Sequence, residues 1–176
     1  MLGIPVALAL SNAGEWLIHK YVLHGQGRRP DQFWGFHLHR HHGTTLRTGG
    51  ADPDYTRPWW KESARRREVL GLSFLVVPFL PIAPVAPLFV GTLGVCALRY
   101  YRAHKHAHLD PAWAREHLPW HYDHHMGPDQ EANWCVTNPW FDRVMGTRKP
   151  YVGTEDEARD EARRVRLREA AAAKRA

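Results

Sequence analysis

Residues 104–125 read HKHAHLDPAWAREHLPWHYDHH and hold seven of the thirteen histidines in this 176-residue chain. His104 and His108 are four residues apart, and that spacing places two side chains on one face of an α-helix. The stretch ends in H-x-x-H-H, from His121 to His125, which presents further imidazoles from about one helical turn. The pattern predicts several imidazoles that can reach a common metal ion.

An earlier part of the chain repeats this arrangement, because residues 19–24 read HKYVLH and residues 37–42 read HLHRHH. The two histidine-rich blocks lie on either side of a long apolar segment, which predicts one shared metal centre. The predicted ligands are His19, His24, His37, His41, His42, His104, His108, His121, His124 and His125. His39, His106 and His117 are left out of this set, although His117, four residues before His121, is a possible substitute for it.

The number of predicted ligands indicates two ions, because a structural zinc site is complete with about four ligands. Two ions would each keep room for water or oxygen. Imidazole binds iron, zinc, copper and nickel, so the ligand type alone does not choose the metal. His19 and His24 are about 140° apart on an α-helix. Either the helix ends at Gly25, or these two rings serve different ions.

Three carboxylates are candidates for orienting these ligands through a hydrogen bond to the second ring nitrogen. Glu15 lies four residues before His19 and either orients that ring or faces the helix bundle. Asp110 and Asp123 lie beside the later histidines.

A membrane location is predicted from residues 69–98, which contain no charged side chain. One helix over this range would be about 45 Å long, which exceeds the bilayer core. Prolines at positions 78, 81, 84 and 87 break it, so a helical hairpin is expected. The apolar N-terminus adds a further segment. The predicted membrane segments are about 2–20, 64–79 and 88–103.

Basic residues flank these segments and predict that all histidines lie on the cytosolic face of a membrane, taken to be a bacterial inner membrane. The formal net charge is +6, but no nucleic-acid-binding motif accompanies it, so no nucleic-acid partner is expected. Trp59 and Trp60 are predicted to anchor the chain at the membrane interface.

The length predicts one domain. The expected fold class is an all-α integral membrane protein with a cytosolic, histidine-rich helical cap that holds a di-metal site. Residues 1–151 would form this domain, and residues 152–176 a charged C-terminal helix or tail. The sequence leaves the oligomeric state open.

The order H-x4-H, H-x3-HH, H-x3-H, H-x2-HH, followed by NWCVTNPWFDRVMGT at 133–147, resembles the fatty acid hydroxylase/sterol desaturase superfamily. The resemblance runs from about Glu15 to Tyr151 and is specific in the histidine motifs and the tail. It implies a non-haem di-iron enzyme with O2 as cosubstrate. The implied reaction is hydroxylation or desaturation of an apolar lipid-like substrate, such as a fatty acyl chain or a sterol. No electron-transfer domain is fused to the chain, so a separate donor of ferredoxin or reductase type is expected.

Other functions remain open at this stage. The motifs HKYVLHG and HLHRHH are also similar to those of carotenoid ring hydroxylases, whereas HYDHH and NPWFDRVMGT favour the fatty acid/sterol branch. Alternatives of another class are a divalent-metal transporter or binding protein and a membrane cytochrome with bis-histidine haem. Both would place histidines inside membrane helices, but residues 69–98 contain none.

Overall fold

The computed structural model describes residues 2–58 and 60–173, and all regular elements within those ranges are helical. The predicted interface residue Trp59 and the end of the predicted tail, residues 174–176, lie outside the described residues. The α-helices are α1 (Gly3–Leu17), α2 (Gly43–Thr48), α3 (Ala64–Val76), α4 (Pro87–Leu109), α5 (Pro111–His117), α6 (Pro119–Met126), α7 (Trp140–Val144) and α8 (Glu155–Ala173). The π-helices are π1 (Ile18–Gly25) and π2 (His37–His42), and short 3-10 helices cover Gln26–Arg28, Pro53–Thr56 and Val77–Ile82.

Helix α4 organises the fold, because α1 and α3 both pack against it. Proline starts α4, α5 and α6, at Pro87, Pro111 and Pro119. Proline suits the first turn of a helix, since its fixed φ is helical and its missing N–H is not needed there. The Asp110 carboxylate accepts a hydrogen bond from the backbone N–H of Trp113 and caps α5. Asp110 therefore ends one histidine-bearing helix and starts the next helix; the described contacts give it no role in orienting a histidine.

The all-helical part of the predicted fold class agrees with the structure, but the prediction of membrane-spanning helices is wrong. Within the described residues, no helix is both long and apolar enough to cross a bilayer. Helix α1 has 15 residues and α3 has 13, which gives lengths of about 22 and 20 Å against a core of about 30 Å. Helix α4 has 23 residues, but its second half carries Arg99, Arg102 and Lys105.

The apolar sequence that prompted this prediction lies largely on the outer faces of the helices. The exposed apolar side chains of α1, α3 and α4 include Leu8, Leu10, Phe74, Val95 and Leu98. The run from 69 to 98 is divided by the 3-10 helix Val77–Ile82 and the turn before Pro87. The prolines predicted a break in this range, but the helices on either side of it lack the length and hydropathy of a membrane span.

The buried apolar clusters are small. Trp16 packs with Trp134 and Cys135, and a second cluster contains Ala107, Ala114 and Leu118. Most of the largest fully buried side chains are histidines instead. Histidine thus occupies the space that aliphatic side chains fill in most domains, and burying so many polar rings is costly unless each nitrogen finds a partner.

Candidate metal centre

The structure brings the predicted ligands into two adjacent buried groups. The first histidine group contains His19, His24, His37, His42 and His124. The second histidine group contains His41, His104, His108 and His125. Within each group, one nitrogen from every ring lies within 4.8 Å of the others. Both groups are therefore suited to hold a metal ion.

The tenth predicted ligand, His121, lies at the edge of the second histidine group. Its Nε2 is 3.2 Å from Nε2 of His108, and its ring centroid is 4.6 Å from that of His125. His121 is buried and its Nδ1 has no hydrogen-bond partner among the described residues. The ring is thus close enough to serve as an additional ligand of this group.

The π-helices explain how histidines five residues apart meet in one group. His19 and His24 both lie on π1, and His37 and His42 both lie on π2. A π-helix bonds residue i to residue i+5, so side chains at this spacing share a face. Of the two alternatives for His19 and His24, separate ions do not apply, because both rings enter the first histidine group.

The second histidine group takes its i,i+4 pair from a regular α-helix. His104 and His108 lie on α4, and their Nε2 atoms are 3.2 Å apart. His121 and His125 have the same spacing on α6. Five-residue spacing on the π-helices thus supplies four rings of the first group, and four-residue spacing on α4 and α6 supplies three rings of the second. His124 on α6 and His41 on π2 complete the first and second groups from the other kind of helix.

Hydrogen bonds to Nδ1 fix which ring nitrogen faces the centre. Nδ1 of His19 lies 2.6 Å from the carbonyl of Trp134, and Nδ1 of His124 lies 2.7 Å from that of Ala132. Nδ1 of His108 lies 2.9 Å from the carbonyl of Gly50. A carbonyl oxygen only accepts, so each Nδ1 carries the proton and each Nε2 keeps a free lone pair. These rings therefore present Nε2 as a ligand atom.

The spacing of the Nε2 atoms fits a metal ion. In the first histidine group, Nε2 of His42 lies 3.2 Å from Nε2 of His24, His37 and His124. With metal–nitrogen bonds of about 2.1 Å, two ligand nitrogens on one ion are about 3.0 to 3.4 Å apart. Unprotonated nitrogens at this distance would repel each other, whereas a shared cation would attract both.

Two nitrogens without a hydrogen-bond partner indicate that the second histidine group also suits a metal ion. Nε2 of His41 and Nε2 of His125 are buried and have no hydrogen-bond partner in the described structure. Leaving a buried acceptor unpaired costs about 1–3 kcal/mol. A cation at this position would satisfy both lone pairs, so the donor set fits a metal.

Burial also keeps these rings in the neutral form that binds metals. Desolvation lowers the pKa of His19 to about 4, of His24 to about 2 and of His108 to about 3. Burial and neighbouring imidazoles also lower the pKa of His37, His42, His104, His121, His124 and His125. Near neutral pH, protons do not compete strongly with a metal at these nitrogens.

Carboxylates behind the second histidine group were not predicted from the sequence. Oδ2 of Asp52 lies 2.7 Å from Nδ1 of His41, and Oε1 of Glu68 lies 2.8 Å from Nδ1 of His104. The hydroxyl of Tyr55 is 2.9 Å from the same His104 nitrogen. Asp52 and Tyr55 come from the segment between the histidine blocks, which has no repeating pattern. Spacing alone therefore could not identify them.

Burial affects the two carboxyl groups differently. Desolvation would raise the pKa of Asp52, but hydrogen bonds from His41 and from the backbone N–H of Asp54 bring it below its usual value. Burial raises the pKa of Glu68 to about 8, although a hydrogen bond from Tyr55 opposes this change.

The carboxylates that the sequence suggested have other partners. Glu15 does not orient His19, because its Oε2 accepts hydrogen bonds from the backbone N–H groups of Val136 and Thr137. Asp123 accepts a hydrogen bond from the N–H of Val152 and forms an ion pair with Arg148. Both residues hold the C-terminal segment against the helices.

The tail motif has a structural role next to the first histidine group. The Asp142 carboxylate accepts hydrogen bonds from the backbone N–H groups of Trp134, at 2.9 Å, and Cys135, at 2.8 Å. Asn133 has a φ of 59°, a left-handed conformation that asparagine tolerates better than most residues. These interactions hold residues 132–135, so the carbonyls of Ala132 and Trp134 meet His124 and His19.

A cavity of about 210 Å³ ends at the histidines of both groups. Most of its wall is apolar, and these side chains include Ile18, Val22, Leu23, Leu72, Phe74 and Leu75. His19 and His37 of the first histidine group and His41 and His104 of the second also line it. An apolar molecule in this space would lie against the junction of the two groups.

The three histidines excluded from the ligand set lie outside both groups. His39 is exposed, and its Nε2 lies 2.9 Å from the carbonyl of Arg28. His106 and His117 are also exposed, and both stack on the ring of Trp113, with ring centroids 4.0 and 5.1 Å away.

The fold and site define a helical protein with two buried histidine groups that can hold metal ions. No family model, curated protein or solved structure matches this chain.

Proposed function

We propose that this protein is a non-haem di-iron oxygenase that hydroxylates or desaturates an apolar, lipid-like substrate. The observation that carries the proposal is the apolar cavity lined by histidines from both groups. An enzyme that attacks an unactivated C–H bond must place an apolar chain beside its metals and exclude water. This cavity provides such a surface.

The histidine ligands support iron, without distinguishing it from other metals that bind imidazole. Two bound iron ions would supply the electrons that reduce O2 and so generate an oxidant for a C–H bond. The protein's contribution would be binding, orientation and exclusion of competing reactions. The resemblance in the histidine motifs and tail favours a fatty acyl chain or a sterol over other substrates.

The residues around the cavity have distinct roles in this proposal. Ile18, Val22 and Leu75 would contact the apolar substrate, since they line the wall. Tyr55 is 1% exposed, and its ring stacks on His108 with centroids 5.5 Å apart. Tyr55 would thus hold His108 in place and keep water from the second histidine group.

Electrons would come from a separate ferredoxin or reductase. Reduction of O2 during hydroxylation or desaturation requires electrons from an external donor.

The test begins with the metal content of protein produced with iron. The expected result is about two irons per chain, with a lower content in His41→Ala and His125→Ala and no change in His39→Ala, which alters an exposed histidine. Loaded protein with a chemical reductant should then consume O2 when given a fatty acyl or sterol substrate and yield an oxidised product. One iron or fewer per chain, unaffected by the first two variants, would exclude the di-iron centre. Two ions without substrate-dependent O2 consumption would favour a metal-binding protein.

A further inference from the structure

The hydrogen-bond partners of the two histidine groups come from two separate segments of the chain. In the first group, His24, His124 and His19 meet Glu131, Ala132 and Trp134. In the second group, partners come from residues 45–68: Thr45 for His125, Gly50 for His108, Asp52 for His41, and Tyr55 and Glu68 for His104. Each group therefore has its own supporting segment.

The two supporting segments also differ in charge. Asp52 is 3% exposed, and its 2.7 Å contact with His41 is a short hydrogen bond to a carboxylate. The first group rests mainly on the neutral carbonyls of Ala132 and Trp134. Among the described residues, the carboxylate that contacts a histidine of this group is Glu131, which is 3.4 Å from His24 and whose side chain is 55% exposed. Solvent screens an exposed charge much more than a buried one.

Asp52 is itself fixed by the backbone around the second histidine group. Its Oδ1 accepts a hydrogen bond from the N–H of Asp54, and its own N–H donates to the carbonyl of His108. The carboxylate is therefore placed before any ion binds. A carboxylate that accepts the Nδ1 proton makes Nε2 of the same imidazole a stronger donor to a metal.

We propose that Asp52 is a positioning residue that strengthens metal binding at the second histidine group alone, so that the two ions are bound with separately controlled affinities. This inference rests on the two-metal site of the proposed function. Loss of an outer hydrogen-bond partner of a metal ligand commonly weakens metal binding about 10- to 100-fold. Loss of the Asp52 carboxylate should weaken metal binding at the second group only, because the histidines of the first group have their own hydrogen-bond partners.

The test is a titration of the metal-free protein with Co²⁺, in which the visible absorption of the bound ion reports each binding step. Two variants assign the binding steps: His24→Ala should remove the step of the first group, and His108→Ala that of the second. Asp52→Asn keeps an oxygen acceptor but removes the charge, whereas Asp52→Ala removes both. We expect Asp52→Asn to weaken only the step that is lost in His108→Ala, by about 10-fold or more.

A matched control is Asp54→Asn in the same segment. Asp54 is also buried but binds Arg40, Arg57 and the N–H of Ala64 instead of a histidine. Its substitution should leave both Co²⁺ affinities within about 3-fold of wild type, as expected for a residue without an orienting role at a metal ligand. Circular dichroism would check the folding of each variant. If Asp52→Asn does not fold, Asp52→Ala should show the same selective weakening.

Equal weakening of both steps by Asp52→Asn, or weakening of the step lost in His24→Ala, would overturn this inference and leave the two-metal site intact. An unchanged affinity at both steps would also overturn it. A wild-type protein that binds fewer than two Co²⁺ ions would instead exclude the two-metal site and this inference together.

Discussion

His41 and His42 are consecutive in the chain, yet their rings enter different histidine groups, with planes at 86° and centroids 5.8 Å apart. His124 and His125 divide between the groups in the same way. Neighbouring residues of a helix point in different directions, about 100° apart on the α-helix that carries His124 and His125, so an adjacent pair suits two neighbouring centres better than one. The two H-H pairs therefore couple the groups, and the rings of His42 and His125 lie 4.4 Å apart across the junction.

Removing the metals should strongly destabilise the protein, because unprotonated Nε2 atoms would then face each other in the interior. An ion present at 1,000 times its dissociation constant stabilises a fold by about 4 kcal/mol. For two ions, and a shift of about 2–4 °C per kcal/mol in a domain of this size, the melting temperature should fall by about 15–30 °C. Thermal unfolding with and without a chelator measures this difference.

The variant His39→Ala, which alters an exposed side chain, provides the control. Its melting temperature should fall on chelation by the same amount as that of the wild type. A change below about 2 °C in the wild-type protein would mean that metals do not hold the two groups together.

The five-residue spacing on π1 should be essential to the first histidine group. Exchanging two neighbours, Leu23→His combined with His24→Leu, gives a four-residue spacing that suits an α-helix. On π1 the side chain at position 23 faces the apolar cavity and does not occupy the ligand position of His24, so we expect one of the two ions to be lost. Metal analysis should give the same content for this double variant and for His24→Leu alone. Recovery of the second ion in the double variant would show that π1 readily becomes an α-helix.

The ten histidines could be singled out from the sequence because spacing on a helix carries information about shared faces. The α-helical period alone was enough to predict that His104 and His108 share one face of a helix. The sequence could not decide whether His19 and His24 bind one ion or two. A spacing of five residues brings both rings to one centre only on a π-helix, and the sequence contains no distinct signal for that form.

The carboxylates and the membrane prediction show two further limits of sequence reasoning. Asp52 reaches His41 from a 3-10 helix boundary, where contacts depend on the whole fold and not on a local period. The prolines after Val69 predicted a break between two helices, and the structure has the 3-10 helix Val77–Ile82 there. What the apolar composition overstated was the length of uncharged helix on either side, because α3 has 13 residues and the second half of α4 is charged.

Glu15 should make the protein less stable as the pH rises. Burial raises its pKa from 4.5 to about 7, although hydrogen bonds from Thr137 and Val136 oppose this rise. A carboxyl group with a raised pKa contributes its full stability below about pH 4.5 and loses it as the pH passes 7. A shift of about 2.5 units corresponds to about 3 kcal/mol.

The measurement compares the free energy of unfolding of the metal-loaded wild type and Glu15→Gln between pH 5 and 8. The wild type should lose about 2.5 kcal/mol relative to the variant over this range, because part of the effect lies below pH 5. Taking the difference cancels the titration of the histidines, which both proteins share. Equal slopes would mean that Glu15 is already ionised at pH 5.

Filling the cavity should impair the binding of apolar molecules without removing the metals. A Cβ added at Gly71, which lines the cavity, would lie 3.6 Å from the ring of Trp34, an ordinary contact. Gly71→Ala should therefore be tolerated, whereas Gly71→Phe places a ring in a space of about 210 Å³. We expect binding of a long-chain fatty acid to weaken at least about 10-fold in Gly71→Phe, which corresponds to about 1.4 kcal/mol.

Gly91→Phe is the matched control, because a Cβ added at Gly91 has no neighbour within 4 Å. Unchanged binding in Gly71→Phe, with both metals retained, would show that the fatty acid binds elsewhere.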